Sequence, residues 1–194
     1  EGFRLDYTLR KIAARFNSEE FRLAVEKAGI DETYLYSDER LKKLEEGCEA
    51  ICLSYVRMLS DAAGNVMKAF DAAGIDPYDT TRHFMSVTLG KYGSLKAGAY
   101  IQMISDSFRN NASDVTKWFP KPKRHLESQV TPEMENAVSA FLSLFGPEYK
   151  VYNTALQLKK QIYGFAVAND LYGSFKALLK EKNVLTIDRT NTLL

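Results

Sequence analysis

Between Leu41 and Phe70 the apolar side chains recur at Leu41, Leu44, Cys48, Ile51, Tyr55, Leu59, Ala62, Val66 and Phe70, in steps of three and four without a break. Only an α-helix brings such a series to one face, because its side chains return every 3.6 residues whereas those of a strand alternate. Ser37 stands where an N-cap would start this helix, and Gly74 where a left-handed residue would end it. An element of this length must lay its apolar stripe against other helices or a sheet.

The rest of the chain supplies helices. Leu5, Leu9, Ile12 and Phe16 are helically spaced over 4–16, and Asn17 with Glu20 forms a capping-box start for a helix ending at Gly29. "GIDPYDTT" is a turn, since Asp76, Pro77 and Asp79 favour local caps over continued helix. Shorter helices are expected near 80–89 and 97–109, with "LGKYGSLKAG" a flexible connection between them. "NNASDVTKWFPKPKRHLESQV" has two prolines and no sustained period, which predicts a long irregular loop. Thr131 and Pro132 form an N-cap and N1 pair for a helix carrying Met134, Val138, Phe141, Leu142 and Phe145, which "GP" should end. From Glu148 to Lys182 the apolar residues Leu158, Ile162, Phe165, Tyr172, Phe175 and Leu179 describe one helix of about 50 Å, bendable at Gly164 and Gly173. With almost no period-2 alternation, the expected fold is all-α: an irregular multi-helix bundle with two long helices and several short ones.

Chemistry is sparse. The phosphate loop G-x-x-x-x-G-K-[ST] is absent, since Met85 stands five residues before Gly90 and a tyrosine follows Lys91. Cys48 and Cys52 lie four apart within the apolar stripe, which reads as core and not as half of a zinc site completed by His83 and His125. No nucleophile elbow stands out, His83 reads as a helix-boundary residue, and the carboxylates scatter over solvent faces. Neither catalytic residues nor a metal or cofactor site is expected in this chain. It carries no run long enough for a membrane span and no signal-peptide pattern at its start. A soluble, cytoplasmic protein without a membrane partner is the expectation.

The formal net charge is only +1, so nucleic-acid binding would need a local patch. One exists at "KWFPKPKRH", where Lys117, Lys121, Lys123 and Arg124 are uninterrupted by any acid. Trp118 and Phe119 stand among them. Cations attract phosphates by counterion release and aromatic rings can stack on bases, so these residues are the leading DNA-binding candidates. The alternative reading is that Trp118 and Phe119 anchor the loop to the bundle while the lysines are solvated. Lys91 and Lys96, flanking Tyr92, form a weaker second patch.

The closing stretch "NVLTIDRTNTLL" has an apolar strand-like run, an aspartate, and a segment ending in paired leucines. In this it resembles the segment by which superfamily 1 helicases of the UvrD, Rep, RecB and AddA type return from an inserted helical subdomain to the first motor domain. Leu185, Ile187, Asp188, Asn191, Leu193 and Leu194 carry the match. The preceding "YNTALQLKKQIYGFAVANDLYGSFKALLKEK" is similar to the helix before this return in AddA-like members, and "SDVTKWFPK" resembles, more faintly, a loop of the same subdomain. The resemblance implies that residues 1–183 are a 1B-type accessory subdomain lying beside the DNA path, and that 184–194 begin the return to a motor, with Asp188 capping a motor helix. Both ends then read as cuts from a longer chain. The parent would be an ATP-dependent 3′–5′ DNA helicase of recombination and repair, using ATP and Mg through motifs outside this segment. The implied partners are DNA and the remaining helicase domains. A rival expectation is an independent all-α protein–protein interaction module, supported by the 11 tyrosines and 11 phenylalanines.

Overall fold

The computed structural model describes residues 11, 19–29, 37–96 and 98–182. Among them the chain is all-α, with six α-helices and four short 3₁₀ helices. In chain order the α-helices are α1 (Glu19–Lys27), α2 (Asp38–Ala72), α3 (Phe84–Gly93), α4 (Asp106–Ala112), α5 (Pro132–Ser143) and α6 (Pro147–Lys182). The two long ones, α2 and α6, have 35 and 36 residues. No helix among the described residues is long and apolar enough to cross a membrane. The helix expected over 4–16 and the return segment at 184–194 lie outside the described residues.

The helix ends follow from local chemistry. Ser37 Oγ accepts from the Arg40 N–H, and Asp38 and Glu39 in the first turn complement the helix dipole. At the other end Gly74 takes φ 67°, and the Ile75 N–H reaches back to the Phe70 carbonyl at 3.0 Å. This is a Schellman stop, a conformation that costs glycine little because it has no Cβ. Thr131 caps α5 through Met134 with Pro132 inside the first turn, and Ser105 caps α4 through Phe108.

The chain divides into two compact units, Glu49–Leu156 and a second made of Glu1–Cys48 with Gln157–Leu194. In the second unit Leu41, Cys48 and Ile162 are buried. The Glu49–Leu156 unit holds a continuous core reaching from Tyr55 to Tyr152 and containing Leu59, Val66, Phe70, Met85, Ile101, Trp118, Met134 and Phe141. Tyr92, Phe141 and Phe145 meet edge to face at 5.4–5.7 Å between ring centres, and Tyr55 stacks on Tyr152 at 4.8 Å. Such pairs add to the area term and fix ring orientation.

Several expectations need correction or refinement. The predicted stripe of α2 is buried at Leu41, Cys48, Tyr55, Leu59, Val66 and Phe70, but Ile51 is 40% exposed, and Val56 and Ala63, outside the stripe, are buried with it. The helix expected at 80–89 begins as a 3₁₀ turn at Thr81–His83, becomes α only at Phe84, and runs on to Gly93. Lys91 and Tyr92 are therefore helical and not part of a flexible connection. Of the helix expected at 97–109 only Asp106–Ala112 forms. The preceding stretch is held in a non-helical path by tyrosines from elsewhere: Tyr152 Oη accepts from the Ile101 N–H and donates to the Ala99 carbonyl, and Tyr92 Oη donates to the Gln102 carbonyl. Those bonds satisfy backbone groups that a helix would otherwise satisfy within itself. The stretch around 115–129 is ordered as 3₁₀ helices at Val115–Lys117 and Lys121–Gln129, not as an irregular loop. Finally "GP" both ends α5 and starts α6, because Pro147 occupies the first helical position.

Candidate nucleic-acid interface

The strongest sequence patch resolves into a buried half and an exposed half. Trp118 is 1% exposed, stacks on Phe70 with 5.6 Å between ring centres, and donates from Nε1 to the Ala112 carbonyl at 3.0 Å. Phe119 is buried beside it. A ring packed on both neighbours and bonded through its one polar atom offers no face to a base. Trp118 and Phe119 are thus anchors of the core, and the stacking role considered for them is corrected.

The cations around them are mostly engaged. Lys117 Nζ lies 2.9 Å from Asp114 Oδ2, and Lys123 pairs with Asp79. Asp114 also accepts from the Thr116 hydroxyl and N–H, and those bonds with the lysine hold its carboxyl below the usual range. Arg124 Nε is 3.4 Å from Glu127 Oε1, a buried oxygen with no hydrogen bond, so this pair is Coulombic only. Lys121 is exposed and has no ion pair among the described residues. Paired surface cations still attract phosphate, but each must first give up its carboxylate, a weak partner in solvent.

Of the second patch, Tyr92 is buried, and Lys91 lies over its ring at 5.6 Å from the centre. Lys91 and Lys96 are exposed. Cys48 is buried with its thiol pushed up by desolvation, as a core residue should be, and Cys52 is half-buried. His125 is exposed on the 3₁₀ helix that carries Lys121 and Arg124. The matched residues Leu185, Ile187, Asp188, Asn191, Leu193 and Leu194 lie outside the described residues.

A second segment, which the sequence marked only as a turn, packs against this stretch. Asp76 Oδ1 accepts from the Tyr78 N–H, and the buried Thr80 hydroxyl donates to the Pro77 carbonyl while accepting from the Met85 N–H. Thr81 then bolts the turn to the cationic stretch: its N–H donates to the Trp118 carbonyl at 2.7 Å and its hydroxyl to the Lys117 carbonyl at 3.1 Å. Immediately after it, Arg82 and His83 both take left-handed backbone, φ 53° and 56°. Each costs about 1–2 kcal/mol for a residue with a Cβ. The fold thereby turns His83 back over Tyr78, with Nδ1 donating to the Tyr78 carbonyl and the rings stacked 3.6 Å apart at 14°. His83 was expected at a helix boundary, and it sits there. The spacing of five between Tyr78 and His83 matches no helical or strand repeat, so no periodicity could have announced the pair.

Comparison of the chain with family models, with curated proteins and with solved structures finds no match.

Proposed function

We propose that this chain is an accessory helical subdomain of a UvrD/AddA-like superfamily 1 DNA helicase, contributing sequence-independent contact to DNA. The observation that carries the reading is the return-type sequence Leu185, Ile187, Asp188, Asn191, Leu193, Leu194 following directly on a long helix. The all-α architecture supports it. On this reading the chain works in the cytoplasm beside a motor that supplies ATP, Mg and their chemistry, and it hydrolyses nothing alone. Its DNA contact is electrostatic, through Lys121 and Arg124 and, by exchange of partners, Lys117 and Lys123. Phosphates carry no base identity, so such contact guides a strand without choosing its sequence.

A forked DNA bearing a fluorophore tests this by anisotropy at low and moderate salt. Binding should fall steeply with salt, and Lys121→Ala with Arg124→Ala should flatten the log–log slope by about two, one for each lost phosphate contact. Absence of binding at low salt would remove the DNA contact. It would favour the second reading, a protein-interaction module, for which one observation speaks: Val167, Leu171 and Leu178, at helical steps on α6, are all exposed. The parent polypeptide discriminates independently, since the helicase reading requires a P-loop before this segment and an aspartate–glutamate pair after it.

A further inference from the structure

We propose that Tyr78 and His83 form a stacking platform for the bases of single-stranded nucleic acid, flanked by Arg82 and Lys121 as phosphate contacts. The proposal rests on the DNA-contact reading above and relocates its aromatic component from Trp118 and Phe119.

Three observations carry it. Tyr78 is 55% exposed although its ring is held by stacking on His83, so an ordered aromatic pair faces solvent where an ordinary surface tyrosine would be free to rotate. The pair exists only because Arg82 and His83, neither of them glycine, adopt consecutive left-handed conformations. Strain of this kind persists where the surrounding structure enforces it, here through the buried Thr80 and the Thr81 bonds, and it clusters at ligand sites. Lastly, the turn is fastened to the cationic stretch by Thr81 with Lys117 and Trp118, and by Asp79 with Lys123, so rings and cations belong to neighbouring segments of the compact Glu49–Leu156 unit.

Ion pairs occupy most of the charges on that surface. Asp79 and Asp114 are matched by Lys123 and Lys117, Glu127 by Arg124, and Asp76 is turned into its cap bond with Tyr78. Arg82 and Lys121, both exposed, have no ion pair among the described residues. Against these two unpaired cations stands the exposed Asp76, whose carboxylate keeps its charge while capping the Tyr78 N–H, so electrostatic affinity is small and stacking must supply the larger share. Every base has a π-face, which makes such binding tolerant of sequence.

The test compares two fluorescein-labelled probes on the 194-residue chain: an oligothymidylate of about 12 nucleotides and an abasic strand of the same length, which keeps the phosphates and lacks the bases. The platform predicts that oligothymidylate binds roughly tenfold more tightly than the abasic strand at low salt. Tyr78→Leu should remove that preference and leave the abasic affinity unchanged. His83→Asn should do the same while preserving the turn, because asparagine tolerates left-handed backbone and keeps a donor for the Tyr78 carbonyl. Lys121→Ala should weaken both probes equally. Equal binding of the two probes by the unaltered chain overturns the platform and leaves the phosphate contact standing. Binding of neither probe removes the DNA reading and the platform with it.

Discussion

Trp118 and Phe119 follow directly on Lys117 and are buried, whereas Tyr78 and His83, distant in sequence from that cationic run, are exposed and fastened to it. The two aromatic pairs have exchanged the roles that their neighbours in sequence suggest. The indole is held inside by Phe70 and the Ala112 carbonyl, and with it come the backbone carbonyls of Lys117 and Trp118 that receive Thr81. The buried pair therefore builds the ledge on which the exposed pair stands. A cation next to an aromatic residue in sequence says little about whether both reach the same ligand, because a backbone turn can send successive side chains to opposite sides.

The largest effect should come from breaking the buried side. Trp118→Ala is expected to cost about 3–5 kcal/mol of stability, read as a lower urea midpoint, while Tyr78→Leu changes the midpoint little. Since Trp118 is the only tryptophan, its fluorescence also sharpens the contrast: saturating oligothymidylate should leave it nearly unchanged. Strong quenching would mean that the indole, and not the tyrosine–histidine pair, meets the bases.

The next effect depends on pH and again belongs to the buried aromatics. Desolvation raises the phenols of Tyr55, Tyr92 and Tyr152 above the ordinary tyrosine value. The unfolded chain then releases its protons first as pH rises. Stability held by these neutral phenols is fully present below about pH 10 and is lost as pH climbs through the raised folded values. Melting temperature should hold steady up to about pH 10 and fall beyond it, and Tyr55→Phe should make that fall shallower. An unaltered decline in the variant would deny Tyr55 its share.

The smallest effect tests the strain on the exposed side. Arg82→Gly should raise stability by about 0.5–1 kcal/mol, the relief of left-handed strain minus the extra entropy glycine loses on folding. It should simultaneously weaken oligothymidylate binding by removing a cation. A variant that loses stability would show that Arg82 is held by contacts worth more than the strain.

Helix starts and stops were readable because each is decided within one turn. Ser37 has its acceptor three residues from the N–H it caps, Gly74 needs only the absence of a Cβ, and Thr131 with Pro132 carries its own signal. The stripe on α2 was readable in period and in phase at Leu41, Cys48, Tyr55, Leu59, Val66 and Phe70; its edges were not, since Ile51 and Val56 are equally apolar and only the packing around them chooses between them. Residues 99–105 were misread as helix because the groups that hold them out of one, the hydroxyls of Tyr92 and Tyr152, reach Gln102 and Ile101 from 10 and 51 residues away. The cationic residues of the candidate site were legible as a run. Their ion pairs were only partly so: Lys117 with Asp114 is a local spacing, but Lys123 finds Asp79 from 44 residues away.

The sequence by itself therefore determined an all-α chain, the limits of its long helices and the cations of its one basic stretch, all consequences of periodicity, capping and composition that act over a few residues. Which aromatic rings face solvent was decided only in the tertiary structure. Burying Trp118 against Phe70, docking Thr81 on its carbonyl and turning His83 over Tyr78 each require partners that the chain brings together from distant positions.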